Sequence, residues 1–213
     1  MLTNYIKLHN GVIKQDKIVH CIKTYDINYT SDYNKYGELG RNLGFLRLGF
    51  LIGSLGIIPD SILDVGYGNG DFLKAATLAI KKCYGTDLVQ TPLPNNVTFL
   101  KFNDAIQLEY DVITFFDSLE HFENIDFVKD LKCKYIFITL PWCHYIDNDW
   151  FENWKHRKPD EHLWHFDKNA MLIFFREHGY ECVNIGCPFE DTIRKDNNYT
   201  PNILTGIFKK VSI

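Results

Sequence analysis

No apolar run in this chain approaches the ~18 residues of a membrane-spanning helix, and the opening Met1-Leu2-Thr3-Asn4-Tyr5-Ile6-Lys7 lacks the apolar centre of a signal peptide. The expectation is a cytoplasmic protein with no membrane partner. C-x-x-C pairs are missing too. The six cysteines stand at 21, 83, 133, 143, 182 and 187, a scatter that fits buried thiols rather than a disulfide frame or a zinc knuckle. Concentrated basic charge is the third absence. Against 27 Asp and Glu there are 23 Lys and Arg, a formal net charge of −4, which argues against a nucleic-acid partner and for a small molecule. Composition carries no signal for oligomeric state.

What is present is globular: 46% hydrophobic and 23% charged residues over 213 positions, enough for one domain with additions. The chain is organised around Ser61-Ile62-Leu63-Asp64-Val65-Gly66-Tyr67-Gly68-Asn69-Gly70-Asp71-Phe72. Ile62, Leu63 and Val65 suit a strand covered on both faces. Gly66, Gly68 and Gly70 permit positive φ and let a ligand approach bare backbone. A strand, a glycine turn and a helix start at the carboxyl end of a first parallel strand make a nucleotide-binding place. The dinucleotide pattern G-x-G-x-x-G holds a pyrophosphate on helix N–H groups. Here the spacing is G-x-G-x-G, one residue short of that fingerprint.

Asp64-Val65-Gly66-Tyr67-Gly68-Asn69-Gly70 resembles the class I S-adenosylmethionine-dependent methyltransferases, in which an acid, one residue and G-x-G-x-G wrap a cofactor with an adenosine but no phosphate. Tyr67 departs from the pattern, since the family usually has a small residue there. Cys83-Tyr84-Gly85-Thr86-Asp87-Leu88 reads as a second strand ending in an acid. Asp87 lies about twenty residues past the glycine turn, where nucleotide-binding sheets place a carboxylate for the ribose hydroxyls; Leu88 is grouped with it as cofactor-binding. Val97–Phe102 reads as a third strand, followed by Asn103-Asp104-Ala105. The resemblance implies that Asp104 accepts a hydrogen bond from the adenine amino group, with Ala105 beside it.

Asp111–Phe116 reads as a fourth strand running into Asp117-Ser118-Leu119-Glu120-His121-Phe122. Leu-Glu-His at this place resembles the small-molecule branch that includes the ubiquinone-biosynthesis O-methyltransferases. That resemblance implies cofactor contacts from Asp117 and Ser118. It also implies an α/β fold: a Rossmann-like doubly wound sheet, mostly parallel with an antiparallel last strand, strand order 3-2-1-4-5-7-6, helices on both faces.

The expected division is an N-terminal accessory hairpin and helix over 1–56 and a methyltransferase domain over 57–213, with an inserted lid loop at 142–168. The hairpin pairs Tyr5–Leu8 with Lys17–Ile22 across the turn signal Asn10-Gly11. Apolar positions Tyr36, Leu39, Leu43, Leu46 and Phe50 recur at helical spacing from Asp32 through Leu55, with Arg41 and Arg47 interleaved. Tyrosines 25, 29, 33 and 36 read as packing residues or the lining of a substrate entrance. Further along, Asp71–Lys82 and Asn124–Lys134 read as helices and Tyr135–Trp142 as a buried strand stopped by Pro141. Asn169–His178 is a helix closed by Gly179, and Glu181–Cys187 and Ile203–Val211 are the last strands.

The insertion is biased. It holds all four tryptophans, at 142, 150, 154 and 164, and four of the eight histidines, at 144, 156, 162 and 165. Glu-His-Leu-Trp-His-Phe within it resembles an element that closes over the site in this methyltransferase branch, which makes Trp142 and Trp164 candidate contacts of the acceptor. Methyl transfer is an in-line displacement in which positioning supplies much of the rate. Only hydroxyl or acidic carbon acceptors need a base; His121, at the end of the fourth strand, is the first candidate and His144 the second. His156, His162 and His165 with Asp160 and Glu161 match no tetrahedral ligand spacing, so no metal is expected. Lys155-His156-Arg157-Lys158 reads as a solvated loop or a grip on a substrate phosphate. The rival functions are an NAD(P)-dependent oxidoreductase and a nucleotide-binding module without turnover.

Overall fold

The computed structural model describes residues 2–20, 37–188 and 200–211. At its centre is a seven-stranded sheet of β3 (Ser61–Val65), β4 (Lys82–Thr86), β5 (Val97–Phe99), β6 (Tyr110–Phe116), β7 (Cys133–Pro141), β9 (Tyr180–Gly186) and β10 (Ile203–Lys210). Its spatial order is β5-β4-β3-β6-β7-β10-β9. Numbered along the chain within this sheet, that is the expected 3-2-1-4-5-7-6. Strands β5, β4, β3, β6 and β7 are mutually parallel, and β10 runs antiparallel to both β7 and β9. The inner strands read as unbroken apolar runs because both faces are covered: Ile62, Leu63, Val112, Ile113, Ile136 and Phe137 have no solvent exposure at all.

Helix α1 (Gly37–Leu55) packs on α2 (Asp71–Ala76). The close approach depends on Gly44, where a Cβ would lie 2.7 Å from the Asp71 carbonyl oxygen. Helix α2 stops well before Lys82. After Thr77 the chain tightens into i→i+3 bonds, Leu78 N–H to Ala75 O and Ala79 N–H to Ala76 O, and Leu78 is 73% exposed, so another helical turn would bury no apolar face. The third strand also ends early, at Phe99, because the chain turns into the short helix α3 (Phe102–Ala105). Between β6 and β7 there is no α-helix, only 3-10 turns at Leu119–His121 and Asp126–Asp130. Strand β7 already pairs at Cys133 with Tyr110, which leaves no length for the helix expected over Asn124–Lys134. Among the described residues no helix is long and apolar enough to cross a membrane.

The N-terminal hairpin forms around Asn10-Gly11, with Gly11 at φ 89°, but its second strand is not Lys17–Ile22. Leu8 N–H bonds to Val12 O at 2.8 Å, so pairing resumes directly after the turn and β1 (Tyr5–Lys7) meets β2 (Ile13–Gln15). The segment Lys17–His20 is held differently, through Val19 and His20 N–H groups donating to the Asp160 carboxylate at 2.9 and 2.8 Å. Cys21, Ile22, tyrosines 25, 29, 33 and 36, and the expected helix start at Asp32 lie outside the described residues. Strand β2 also pairs with β8 (Trp164–His165). The hairpin and the segment 142–168, expected as an inserted lid and far apart from it in sequence, therefore share one three-stranded sheet, β1-β2-β8. The insertion further carries α4 (Asn148–Asn153), and α5 (Lys168–Glu177) follows it.

Candidate active site

The glycine turn has the predicted form. Gly66, Gly68 and Gly70 adopt φ of 78°, 57° and 74°, a region that costs other residues strain. At Gly66 a Cβ would also fall 2.7 Å from the Ser118 Cβ. Ser118 donates its hydroxyl to Val65 O at 2.7 Å and so buttresses the turn from behind. The loop after β4 is tied to the same turn: Asp87 accepts from Gly68 N–H at 2.9 Å and Val89 N–H at 3.2 Å. Thr91 donates to Gly68 O at 2.6 Å, and the Tyr67 hydroxyl bonds the Thr91 backbone. Burial raises the Asp87 carboxyl above its ordinary value, with the backbone N–H groups of Gly68, Val89 and Leu88 pulling it back down. Tyr67 is buried at 5% exposure and packs edge-on against Phe99, which accounts for a large residue at a position where the family usually has a small one.

From the glycine turn a cavity of about 680 Å³ runs beneath α1 to the turn after β6 and the inserted segment. Asp64 stands in its wall, accepting the Thr114 hydroxyl at 2.7 Å. Burial pushes its carboxyl up to about 7, against the opposing Thr114 bond and the charge of Arg47. Arg47 projects from α1 onto the Phe116 ring, 4.1 Å from its centroid. Its guanidinium lies 3.6 Å from the Asp117 carboxylate and donates to Thr139 Oγ1 at 3.3 Å. A buried cation over an aromatic face, between a carboxylate and a hydroxyl, closes one side of the cavity.

The other end is built from Glu120, His121 and His162. His121 Nδ1 donates to Glu161 O at 2.8 Å, and its Nε2 is 3.9 Å from a Glu120 oxygen. His162 Nδ1 donates to His156 O at 2.8 Å, and the two imidazoles meet edge to face with centroids 4.7 Å apart. Burial lowers the pKa of both rings, His162 to about 3, so both are neutral at pH 7. Glu120 is 1% exposed.

Of the residues singled out from sequence, Asp64, Gly66, Tyr67, Gly68, Asp117 and His121 line this cavity. Gly70 caps α2, Asp87 and Ser118 support the turn, and Ala105 is fully buried. Asp104 is exposed at the start of α3, and Leu88 is 82% exposed. His144, Trp142 and Trp164 are not in the cavity wall. His144 stacks on Trp142 at 5.0 Å and bonds Pro201 O at 2.6 Å, while Trp164 is held in the core by its β8 pairing and donates to Phe122 O at 2.6 Å. The insertion contributes polar groups instead: His156, Lys158, Glu161 and His162. Its aromatic surface is buried against the hairpin, where Phe151 and Trp154 pack around Tyr5 and His165. Sequence reasoning passed over Arg47 and Glu120. The available signal for Arg47 was its place four residues after Leu43, on the face that α1 buries.

Residues 33–185 match the family model of a methyltransferase domain. No curated protein matches the chain in sequence. Among solved structures, a Listeria monocytogenes protein described as an S-adenosylmethionine-dependent methyltransferase aligns with a TM-score of 0.58 at 17% identity, covering 80% of this chain and 100% of that one. Magnesium protoporphyrin IX methyltransferase from Synechocystis PCC 6803, solved with bound SAH, aligns at 0.56 and 13%, covering 89% and 90%. A plantazolicin methyltransferase in complex with a monoazolic desmethylPZN analog and SAH aligns at 0.54 and 17%, covering 88% and 91%. At these identities the likeness speaks to the fold, and the family model speaks to the chain itself, which belongs to the methyltransferase-domain family.

Proposed function

We propose that the protein methylates a small-molecule acceptor at oxygen, nitrogen or carbon, and of these a hydroxyl, because hydroxyl acceptors need the base that His121 would supply, within the branch that the ubiquinone-biosynthesis O-methyltransferases exemplify. The observation that carries this reading is the continuity of the cavity. One wall is the bare backbone of Gly66 and Gly68 with Asp64 beside it, and the far end is Glu120, His121 and His162. The residues fit the cofactor: Gly66 and Gly68 expose backbone where side chains would intrude, and Asp87 is fixed beside Gly68 with two acceptor oxygens. Asp64 and the glycine turn would hold its methionine end and Asp87 the ribose. When bound, S-adenosylmethionine supplies an electrophilic methyl on a sulfonium. The protein's own residues supply the rest. Arg47 and Asp117 orient the acceptor from the α1 side. His121, its tautomer set by the Glu161 carbonyl, turns Nε2 towards Glu120 and acts on the acceptor's oxygen.

The inserted segment 142–168 acts as a lid through its polar edge, from His156 to His162, rather than through its tryptophans. A neutral cofactor pocket without turnover would bind SAH and yield no product. The test is transfer of an isotopically labelled methyl group from S-adenosylmethionine to a panel of small hydroxylated and aminated metabolites. His121→Gln should lower turnover by ~10²–10⁴-fold while SAH affinity stays within threefold. A variant that keeps more than a tenth of the activity removes His121 from the chemistry. Labelled product on amines alone would refute the hydroxyl assignment.

A further inference from the structure

We propose that Gln15 and Asp160 are positioning residues for methyl transfer: through the turn at 158–162 they hold the Glu161 carbonyl, and with it the His121 ring, at the acceptor end of the cavity. This role rests on the reading of His121 as the group that acts on the acceptor's oxygen. Lys158 O accepts the N–H groups of Glu161 at 3.1 Å and of His162 at 2.8 Å, so Pro159 and Asp160 are inner residues of a tight turn. Proline suits the first of these places. Asp160 takes the second with φ 64°, the left-handed region in which a turn favours glycine and other residues are strained. What the aspartate side chain does there accounts for its presence.

Its carboxylate ties the turn to the N-terminal hairpin. Oδ1 accepts from Gln15 Nε2 at 2.6 Å and from Val19 N–H at 2.9 Å, and Oδ2 accepts from His20 N–H at 2.8 Å. Gln15 returns the bond, its Oε1 accepting Asp160 N–H at 2.8 Å, while its Nε2 also donates to Lys17 O at 2.8 Å. Both side chains are buried, so breaking this reciprocal pair leaves donors and acceptors unsatisfied. Neither residue lines the cavity, whereas Lys158, Glu161 and His162 of the same turn do.

The stretch that follows Asp160 is clamped from both sides. On one, Gln15 N–H donates to Leu163 O at 2.8 Å; on the other, Leu163 N–H donates to Glu120 O at 2.8 Å and Glu161 O accepts from His121 Nδ1 at 2.8 Å. Residues 160–163 thus link β2 to the 3-10 turn that carries Glu120 and His121. A carbonyl oxygen can only accept, so Glu161 O keeps the His121 proton on Nδ1 and leaves Nε2 as the basic nitrogen. Displacing Glu161 O releases both the tautomer and the direction of the ring. The hairpin lies outside residues 33–185, which match the methyltransferase-domain model, and this clamp gives it a part in the reaction.

The variant that separates positioning from folding is Asp160→Gly, because glycine suits the φ of the turn and only the carboxylate is lost. Rates are measured with the full chain on an acceptor found by the labelled-methyl panel, alongside SAH calorimetry and ¹⁵N spectra of the histidine rings. Asp160→Gly and Gln15→Leu should each lower kcat ~10–100-fold, the scale of loss when a catalytic group is misplaced by about an ångström, with SAH affinity within threefold of the parent. Asp160→Asn, which tolerates the left-handed turn and keeps one acceptor oxygen, should retain more activity than Asp160→Gly. In the His121→Gln background Asp160→Gly should change kcat less than twofold, since its effect passes through the ring already removed. The spectra should show His121 protonated on Nδ1 in the parent and a mixture of tautomers in Asp160→Gly. A kcat within threefold of the parent in Asp160→Gly, an equal fall in both backgrounds, or an unchanged His121 tautomer overturns the proposal. If Asp160→Gly does not fold, as judged by its melting curve, Gln15→Leu carries the same comparisons. Full activity in His121→Gln would instead overturn the reading of His121, and the tautomer spectra would still decide whether Gln15 and Asp160 set its ring.

Discussion

Replacing Asp64 by asparagine should flatten the dependence of folding stability on pH. Burial raises this carboxyl from 3.8 to about 7 in the folded protein, the Thr114 hydroxyl and the Arg47 charge opposing it. In the unfolded chain it ionises near ~3.9. Between those two values the folded protein holds a proton that the unfolded chain has lost, so stability is greatest below about pH 4 and falls as pH rises towards 7. The whole shift, about three units at ~1.36 kcal/mol each, corresponds to roughly 4 kcal/mol, of which roughly 2.5 kcal/mol is lost between pH 5 and pH 7.5. The measurement is urea unfolding of parent and Asp64→Asn at those two pH values. Every other titrating group, and the constant cost of the substitution, cancels in the double difference. The parent should lose about 2–3 kcal/mol more than the variant across the interval. Equal losses, within about 0.5 kcal/mol, would show that Asp64 is ionised throughout and refute the burial argument.

Three further outcomes follow from the same contacts. Asp87→Ala should raise the SAH dissociation constant by ~10–100-fold, the worth of ~1.5–3 kcal/mol for a charge-assisted acceptor; a change under threefold takes Asp87 out of the site. Asp160→Ala removes the acceptor of Gln15 Nε2, Val19 N–H and His20 N–H, so limited trypsin digestion should cut after Lys17 faster than in the parent, and an unchanged rate would mean that the segment is held elsewhere. Acceptor binding to the SAH complex should change tryptophan emission, because Trp154 lies against His156 of the cavity wall at 5.5 Å. A silent spectrum would argue against closure of the insertion.

The parts of this structure legible from sequence are those in which one short segment obeys one local rule. The turn at Gly66–Gly70 needs positive φ at three alternating positions, and only glycine supplies that cheaply. Runs such as Ile113–Phe116 and Ile136–Leu140 declare doubly covered strands, and with the motif order they led to the correct sheet. Element ends were harder. Lys17–Ile22 alternates as well as a strand should, yet the bond from Leu8 to Val12 gave the pairing to Ile13–Gln15. Contacts assembled across the chain were hardest. The sequence reading placed His162 and Glu161 in a histidine-rich loop and His121 on a strand end, and only the fold brings Glu161 O to His121 and the His162 ring against it. Trp150, Trp154 and Trp164 serve packing on the hairpin rather than reach towards the cavity, and Trp142 stacks on His144.

The central claim, that the glycine turn and Asp87 hold an adenosine cofactor without a pyrophosphate, is tested most directly by calorimetry of the full chain against SAH and against NAD. The account predicts a single saturable site for SAH in the micromolar range, abolished or weakened at least tenfold by Gly66→Ala, whose added Cβ meets Ser118 at 2.7 Å on a backbone at φ 78°. NAD should bind at least a hundredfold more weakly. Comparable affinity for NAD, or SAH binding indifferent to Gly66→Ala, would contradict it.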